Sequence, residues 1–291
     1  MLESIAQVDL TDQIVVGFDG RRQTSHATLW AADIAHRRGC GLTLLYSYGL
    51  SYVGELMVIT TPNDAQMVAA KTALDEASEE IHAMYPDLPI QFMTTVDEAS
   101  WVLAEASRDA WMVVIGATTM SRLAAFMIGK TSIKTIQKAR GPVAIVPNTE
   151  VNRDAAVVLG LDVERPVHEA TRYAFETAKI LERPLVIVSA WQPTWGLRPD
   201  EMDMAVEKSK FVEKMKETVQ RSAEKYPEID VTFEAVEADT VTALKNASMI
   251  ARVMVIGSRG MVNGIVGTVA GSTSRQLIDQ TTCPLIVVTK K

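Results

Sequence analysis

IVVGFDG at residues 14–20 and VVLGLDV at residues 157–163 decide the fold. Each is a short apolar run broken near its end by Gly-x-Asp, which reads as a buried strand running into a turn. Gly17 and Asp19 lie 143 residues before Gly160 and Asp162. Working outward, MVVIGATTM and VMVIGSRGM place Gly116 141 residues before Gly257. Tyr85-Pro86 matches Tyr226-Pro227 at the same offset, while Gly129 matches Gly271 and Pro142 matches Pro284 at 142. Five landmarks that keep their order within two residues mark a tandem duplication. The join falls near Pro147–Arg153, in polar, turn-prone PNTEVNR, and sets domains at 1–149 and 150–291.

Within each copy, strand-like and helix-like stretches alternate. After IVVGF, residues 23–38 carry Ala27, Trp30, Ala31 and Ile34 at helical spacing. LTLLYSY is strand-like, and the Ala-, Glu- and Met-rich segment 63–84 is helical until Pro86 stops it. IQFMTTV alternates, 97–109 is helical, WMVVIG is a buried strand, and a helix near 130–139 precedes PVAIVP. The second copy repeats the strands near 155–160, 185–190, 230–236, 252–257 and 285–289. Five strands per copy, joined by helices in the order βαβ–α–βαβ–α–β, predict the α/β class: two tandem, doubly wound parallel sheets of Rossmann-like type.

Composition narrows the function. The chain has 291 residues, 47% hydrophobic and 22% charged, enough for two buried cores. Its net charge is −7, most of it in the first copy, so no basic footprint for nucleic acid exists. Cys40 and Cys283 are the only cysteines, which excludes a disulfide framework and any CxxC site. The acidic opening MLESIAQVDL is no secretory signal, and the apolar runs are too short to span a bilayer. The expectation is a soluble cytoplasmic protein with no membrane association. His26, His36, His82 and His168 show no metal-ligand spacing, no nucleophile–base motif occurs, and no catalytic or metal-binding residue is assigned. KSKFVEKMKETVQRSAEK (208–225) is a solvated helix face. Trp191 and Trp195 lie after the second copy's second strand, either over a ligand or between subunits.

In an open doubly wound sheet, ligands sit beyond the carboxyl ends of the strands where strand order reverses. Two strand ends stand out. The first ends in Gly17-x-Asp19 and Gly160-x-Asp162, where an Asx turn is equally at home. The fourth opens, in the second copy, a glycine-rich loop over 257–274 that includes Gly257, Ser258, Arg259 and Gly260. Gly271, Ser272, Thr273 and Ser274 then precede a helix in SRQLIDQ, a start whose free N–H groups and dipole suit a phosphate. Capping by Ser272 or Ser274 is the competing use of those hydroxyls. If the first and fourth strands are neighbours, both features face one crevice. The string Gly129-Lys130-Thr131 is no P-loop, because Ala124 stands where Walker A needs glycine.

The pattern Gly257-x-x-Gly260, spacer, Gly271-Ser272 resembles the ATP-binding signature G-x2-G-x9-G-(S/T) of the universal stress protein family. VVGFDG, ATLWAA, SAWQP and CPLIVV occur in the family's order, and the resemblance runs through both copies, as in its tandem subfamily. Two departures stand out. The second-copy spacer, 261–270, is one residue longer than nine. In the first copy Gly116 is kept, but Thr119 replaces the second glycine and Lys130 the serine after Gly129. Lys130, with Thr131 and Ser132, would then serve as the phosphate donors.

The resemblance implies strand order 3-2-1-4-5 and ATP, with magnesium or manganese, bound as a regulatory ligand in a stress or growth-arrest response. Asp19 and Asp162 would lie beside the adenosine, with Gly17 and Gly160 making room. Tyr48, Ala190, Val96 and Val236 would line the adenine slot. PVAIVP and PLIVVTK would pair within the chain as a pseudo-dimer, with a homodimer and a regulatory protein as further partners. The rival is an enzyme: a slow ATPase, a self-phosphorylating protein using Ser272 or Thr131, or an adenylyl-transferring member of the α-hydrolase-like group. A third alternative is an interaction module that has lost its nucleotide, above all in the first copy.

Overall fold

The computed structural model describes residues 8–20, 25–49, 51–53, 56–58, 62–117, 130–150, 152–192, 201–258, 277 and 280–289. The chain divides into two compact units, Met1–Asn148 and Thr149–Lys290.

The first unit runs β1 (Gln13–Phe18), α1 (His26–Arg38), β2 (Gly41–Ser47), β3 (Ser51–Val53), β4 (Leu56–Val58), α2 (Asp64–Met84), β5 (Ile90–Thr95), α3 (Ala99–Ala106), β6 (Met112–Gly116), α4 (Lys130–Lys138) and β7 (Val143–Val146). Its sheet is parallel throughout in the order β5-β2-β1-β6-β7. The second unit runs β8 (Ala156–Gly160), α5 (His168–Leu181), β9 (Leu185–Trp191), α6 (Glu201–Lys225), β10 (Val231–Glu237), α7 (Thr240–Ser248), β11 (Ala251–Ser258) and β12 (Leu285–Thr289). Its order, β10-β9-β8-β11-β12, is again parallel. Both are 3-2-1-4-5 in each copy's own count of sheet strands, so first and fourth strands are neighbours, as the crevice requires.

The central strands are apolar on both faces because helices cover both. Ile14, Val15, Val16, Val113 and Val114 are fully buried, as are Val253, Met254 and Val255. Such continuous Val/Ile runs belong to buried parallel strands. Helix α1 begins where Ser25 caps it, its hydroxyl accepting from the Thr28 N–H, and ends at Gly39 in the left-handed conformation (φ 72°). The repeated Tyr-Pro has a structural use in both copies. Tyr85 Oη donates to Asp33 at 3.2 Å and Tyr226 Oη to Glu176 at 3.4 Å, tying the end of one helix to the face of another.

One feature lies outside the sequence expectation. After β2 the first unit builds an antiparallel hairpin, β3 with β4. Its strands are three residues each, below the length at which alternation can be read. SYV-GE-LMV does hold two strand-forming triplets around a Gly-x pair, a hairpin signature. Among the described residues no helix is long and apolar enough to cross a membrane.

Candidate functional site

In each unit the first and fourth strands end side by side where the sheet order reverses. Val16 registers with Val114, so Gly17 and Gly116 extend two adjacent strand ends. In the second unit Gly160 registers with Ile256, one residue before Gly257. Asp19 and Asp162 lie just beyond, both exposed. Asp162 Oδ1 accepts from the Glu164 N–H at 3.1 Å and the Arg165 N–H at 3.0 Å, so the Asx turn is formed.

The glycines have a packing reason of their own. A Cβ on Gly160 would lie 2.9 Å from Leu244 on α7, and one on Gly17 3.3 Å from Leu103, the equivalent residue on α3. A Cβ on Gly257 would lie 2.5 Å from Val167 at the start of α5, whereas on Gly116 it would meet Ala27 at 3.5 Å. Close approach of helix to strand thus requires glycine at 160 and 257 before any ligand is considered.

The second unit's strand ends enclose a cavity of about 50 Å³, walled by Gly160, Asp162, Arg165, Val167, Thr171 and Gly257 among others. Ala190 and Val236 are register partners on β9 and β10, half-buried on the same carboxyl side of the sheet. Trp191, next on β9, is buried, and Ser258 is buried at the end of β11. In the first unit Tyr48 and Val96 are half-buried after β2 and β5. Tyr46 packs edge-on to Tyr48, ring centroids 5.2 Å apart, and its ring comes so close to Gly20 that a Cβ there would be 2.7 Å away. That aromatic pair was not foreseen from sequence, although Tyr-x-Tyr at a strand end was its signal.

Lys130 opens α4, with Thr131 half-buried and Ser132 buried in its first turn. The helix is fastened to α3. Lys134 Nζ lies 2.6 Å from Glu98, and Thr135 Oγ1 donates to the Ser100 carbonyl. The Lys134 bond, with one from Ser100, holds the Glu98 carboxyl below its ordinary value. Thr119, Gly129, Arg259, Gly260, Gly271, Ser272, Thr273 and Ser274 lie outside the described residues, as does Trp195. The helix expected in SRQLIDQ is described only at Leu277, which is helical and buried.

The remaining candidates have structural surroundings. His26, His36 and His168 are exposed, and His82 bridges Ser78 and the Leu88 carbonyl. Among the described residues no three of His, Cys, Asp or Glu gather around a metal-sized space. Burial pushes the Cys283 thiol up to about 12.

Two copies of one parallel unit, each with its first and fourth strands adjacent where the order reverses, define a tandem doubly wound α/β protein. Residues 11–147 and 156–289 each match the profile of the universal stress protein family, and the chain belongs to that family. It is 26% identical to a universal stress protein of Mycolicibacterium smegmatis over 285 residues, 94% of this chain and 96% of that one. A universal stress protein of Mycobacterium tuberculosis H37Rv is likewise 26% identical over 289 residues, with the same coverage. In fold, it resembles a crystal structure of a Pseudomonas aeruginosa PAO1 protein with TM-score 0.65, at 16% identity over 97% of this chain and 93% of that one. A universal stress protein of Archaeoglobus fulgidus gives 0.61, at 17% identity over 97% and 99%.

Proposed function

We propose that each crevice binds an adenine nucleotide, ATP, as a regulatory ligand in a stress or growth-arrest response. The observation that carries this reading is the adjacency of first and fourth strands. It sets Asp162 beside Gly257, the residue from which the glycine- and hydroxyl-rich run 257–274 departs. The crevice beyond the carboxyl ends of the strands, where the order of a doubly wound sheet reverses, is where such a ligand belongs. The register partners Ala190 and Val236 offer apolar surface for the base, and the run ending Gly271-Ser272-Thr273-Ser274 offers N–H and O–H donors for the phosphates. Magnesium or manganese would accompany the triphosphate as its counter-ion.

Nucleotide released by denaturing the purified chain, identified and counted by chromatography, tests the proposal. Two ATP per chain is the expected result, and one would restrict binding to one unit. None, together with no calorimetric response to added ATP, overturns it. Gly260→Val and Gly271→Val each bring a β-branched side chain into the loop. Each should remove one ATP per chain while the circular dichroism spectrum stays unchanged.

A further inference from the structure

The duplication makes β5 and β10 equivalent outer strands, yet the two copies guard them differently. Phe92 registers with Leu44 on β2 and Phe233 with Ile187 on β9, so the two phenylalanines occupy the same place. Around them the sequences part. Val231–Glu237 carries Glu234 and Glu237, whereas Ile90–Thr95 has no charged residue. The helix leading into β10 has Lys208 and Ser209 where the one leading into β5 has Met67 and Val68, at the same offset of 141. Lys208 lines a groove with Phe233, Glu234 and Glu237. Of the eight exposed large apolar side chains among the described residues, Met67, Val68, Met84 and Phe92 lie on α2 and β5, against Val206 alone on α6 and β10. Charges along an outer strand keep it from pairing with another chain. The second edge has that protection and the first lacks it.

The backbone fixes how the unguarded edge can pair. The Pro89 and Thr95 carbonyls accept from the Leu42 and Tyr48 N–H groups, so the odd-numbered residues of β5 turn their polar groups toward β2. Those of Ile90, Phe92 and Thr94 turn outward, where no described strand lies. A second β5 running antiparallel must match outward residue with outward residue. The register that uses all of them sets Phe92 against Phe92 and Ile90 against Thr94, about a twofold axis perpendicular to the sheet. Phe92 is the exposed side chain of the strand, and in such a hydrogen-bonded pair the two Cβ atoms lie about 5.5 Å apart, within ring contact. Gln91 then faces Met93, and no like charges meet. On β10 the Asp230 carbonyl accepts from the Leu185 N–H, so the outward residues are Val231, Phe233, Ala235 and Glu237. The register that uses all of those sets Glu234 against Glu234, and like charges directly opposite are destabilising.

We propose that β5 is a dimer interface: two copies of this chain join their first units edge to edge, β5 antiparallel to β5 across a twofold at Phe92. The occupant is a second copy because the edge is complementary to itself in both register and apolar side chain. An uncharged strand offers no charge by which to select a foreign one. The charged edge of the second unit stays unpaired. This pairing does not depend on nucleotide in either crevice.

Sedimentation equilibrium of the full chain, 31.8 kDa, over a range of concentrations measures the association, and a species of twice that mass is expected. Phe92→Lys gives the edge a charged guard and should weaken the dimer at least about tenfold. Thr94→Pro removes an outward N–H and no bond to β2, a place where an edge strand tolerates proline. Lost on both sides of the twofold, that bond should weaken the dimer roughly 5- to 150-fold. Val206→Lys, similarly exposed on α6, should leave it unchanged. Should either β5 variant fail to fold, the wild-type chain still decides. Amide exchange at Ile90, Phe92 and Thr94 should slow as protein concentration rises, while Val231, Phe233 and Ala235 keep a constant rate. A chain that stays monomeric throughout overturns the proposal and leaves the edge to a strand of another protein. So does a dimer that Phe92→Lys and Thr94→Pro leave intact, or one in which the amides of β10 slow and those of β5 do not.

Discussion

Gly116 and Gly257 occupy the same place at the end of a fourth strand, yet their neighbours give them unequal tolerance. Alanine at 257 would drive its Cβ to 2.5 Å from Val167 Cβ, while at 116 it would meet Ala27 at an ordinary 3.5 Å. Gly257→Ala should therefore cost about 1–3 kcal/mol, the usual range for overpacking. Gly116→Ala should fall within about 0.5 kcal/mol of wild type, or gain slightly from the stiffer unfolded chain. Urea unfolding monitored by circular dichroism measures both. If the clash is the cause, Val167→Ala should recover part of the loss in the double variant, a positive coupling between touching residues. Equal costs at 116 and 257 would show that the glycines answer to backbone conformation and not to the helix start packed above them. Which glycines matter was legible from the repeat. Why they matter was not, because Val167 and Leu244 reach them only in three dimensions.

Among the elements, helix positions follow from periodicity, but helix ends depend on caps. Helix α7 begins at Asp239, whose carboxylate accepts from the Val241 and Thr242 N–H groups, both at 3.0 Å. The side-chain bond from Thr242, then the backbone bonds, hold this carboxyl below its ordinary value of 3.8. A carboxyl depressed by folding stabilises above its unfolded pKa and loses that contribution as pH falls through the folded one. Asn at this position still caps but does not titrate. Melting curves from about pH 6 to pH 3 should thus show a shallower acid decline for Asp239→Asn than for wild type. Identical slopes would mean that the cap bond is not formed in solution. The hairpin β3–β4 belongs to the same scale. Its two triplets are too short for alternation to be read, and the pairing of Tyr52 with Met57 is visible only in the register.

At the scale of the molecule, each unit is a five-stranded sheet whose middle strands have neighbours on both sides. β5 and β10 end their sheets, and β10 is the more open, its burial alternating along Val231–Glu237. Native-state hydrogen exchange should find the slowest amides in β1, β2 and β6 and in β8, β9 and β11. Those of β5 and β10 should exchange earlier, since local opening costs least where fewest apolar contacts are lost. Slowest exchange in β10 would contradict that order of stability.

The sequence by itself determined the duplication, the α/β alternation, the parallel class and the two glycine-marked strand ends of each copy. These follow from periodicity and from landmarks spaced along one chain, which need no knowledge of neighbours. Only the tertiary structure decided that first and fourth strands are adjacent, which converts two separate motifs into one crevice. It also decided that Gly160 and Gly257 are glycines because Leu244 and Val167 fill the space a Cβ would need. Above all, it separated Thr28 from Thr171, two threonines the repeat makes equivalent. One shares a 2.9 Å bond with the Ser25 hydroxyl, and the other, with His168 where the repeat would place that serine, has no partner among the described residues. Such a difference lies in a distance across a helix turn, and hydrogen-bond satisfaction is a property of the packed chain.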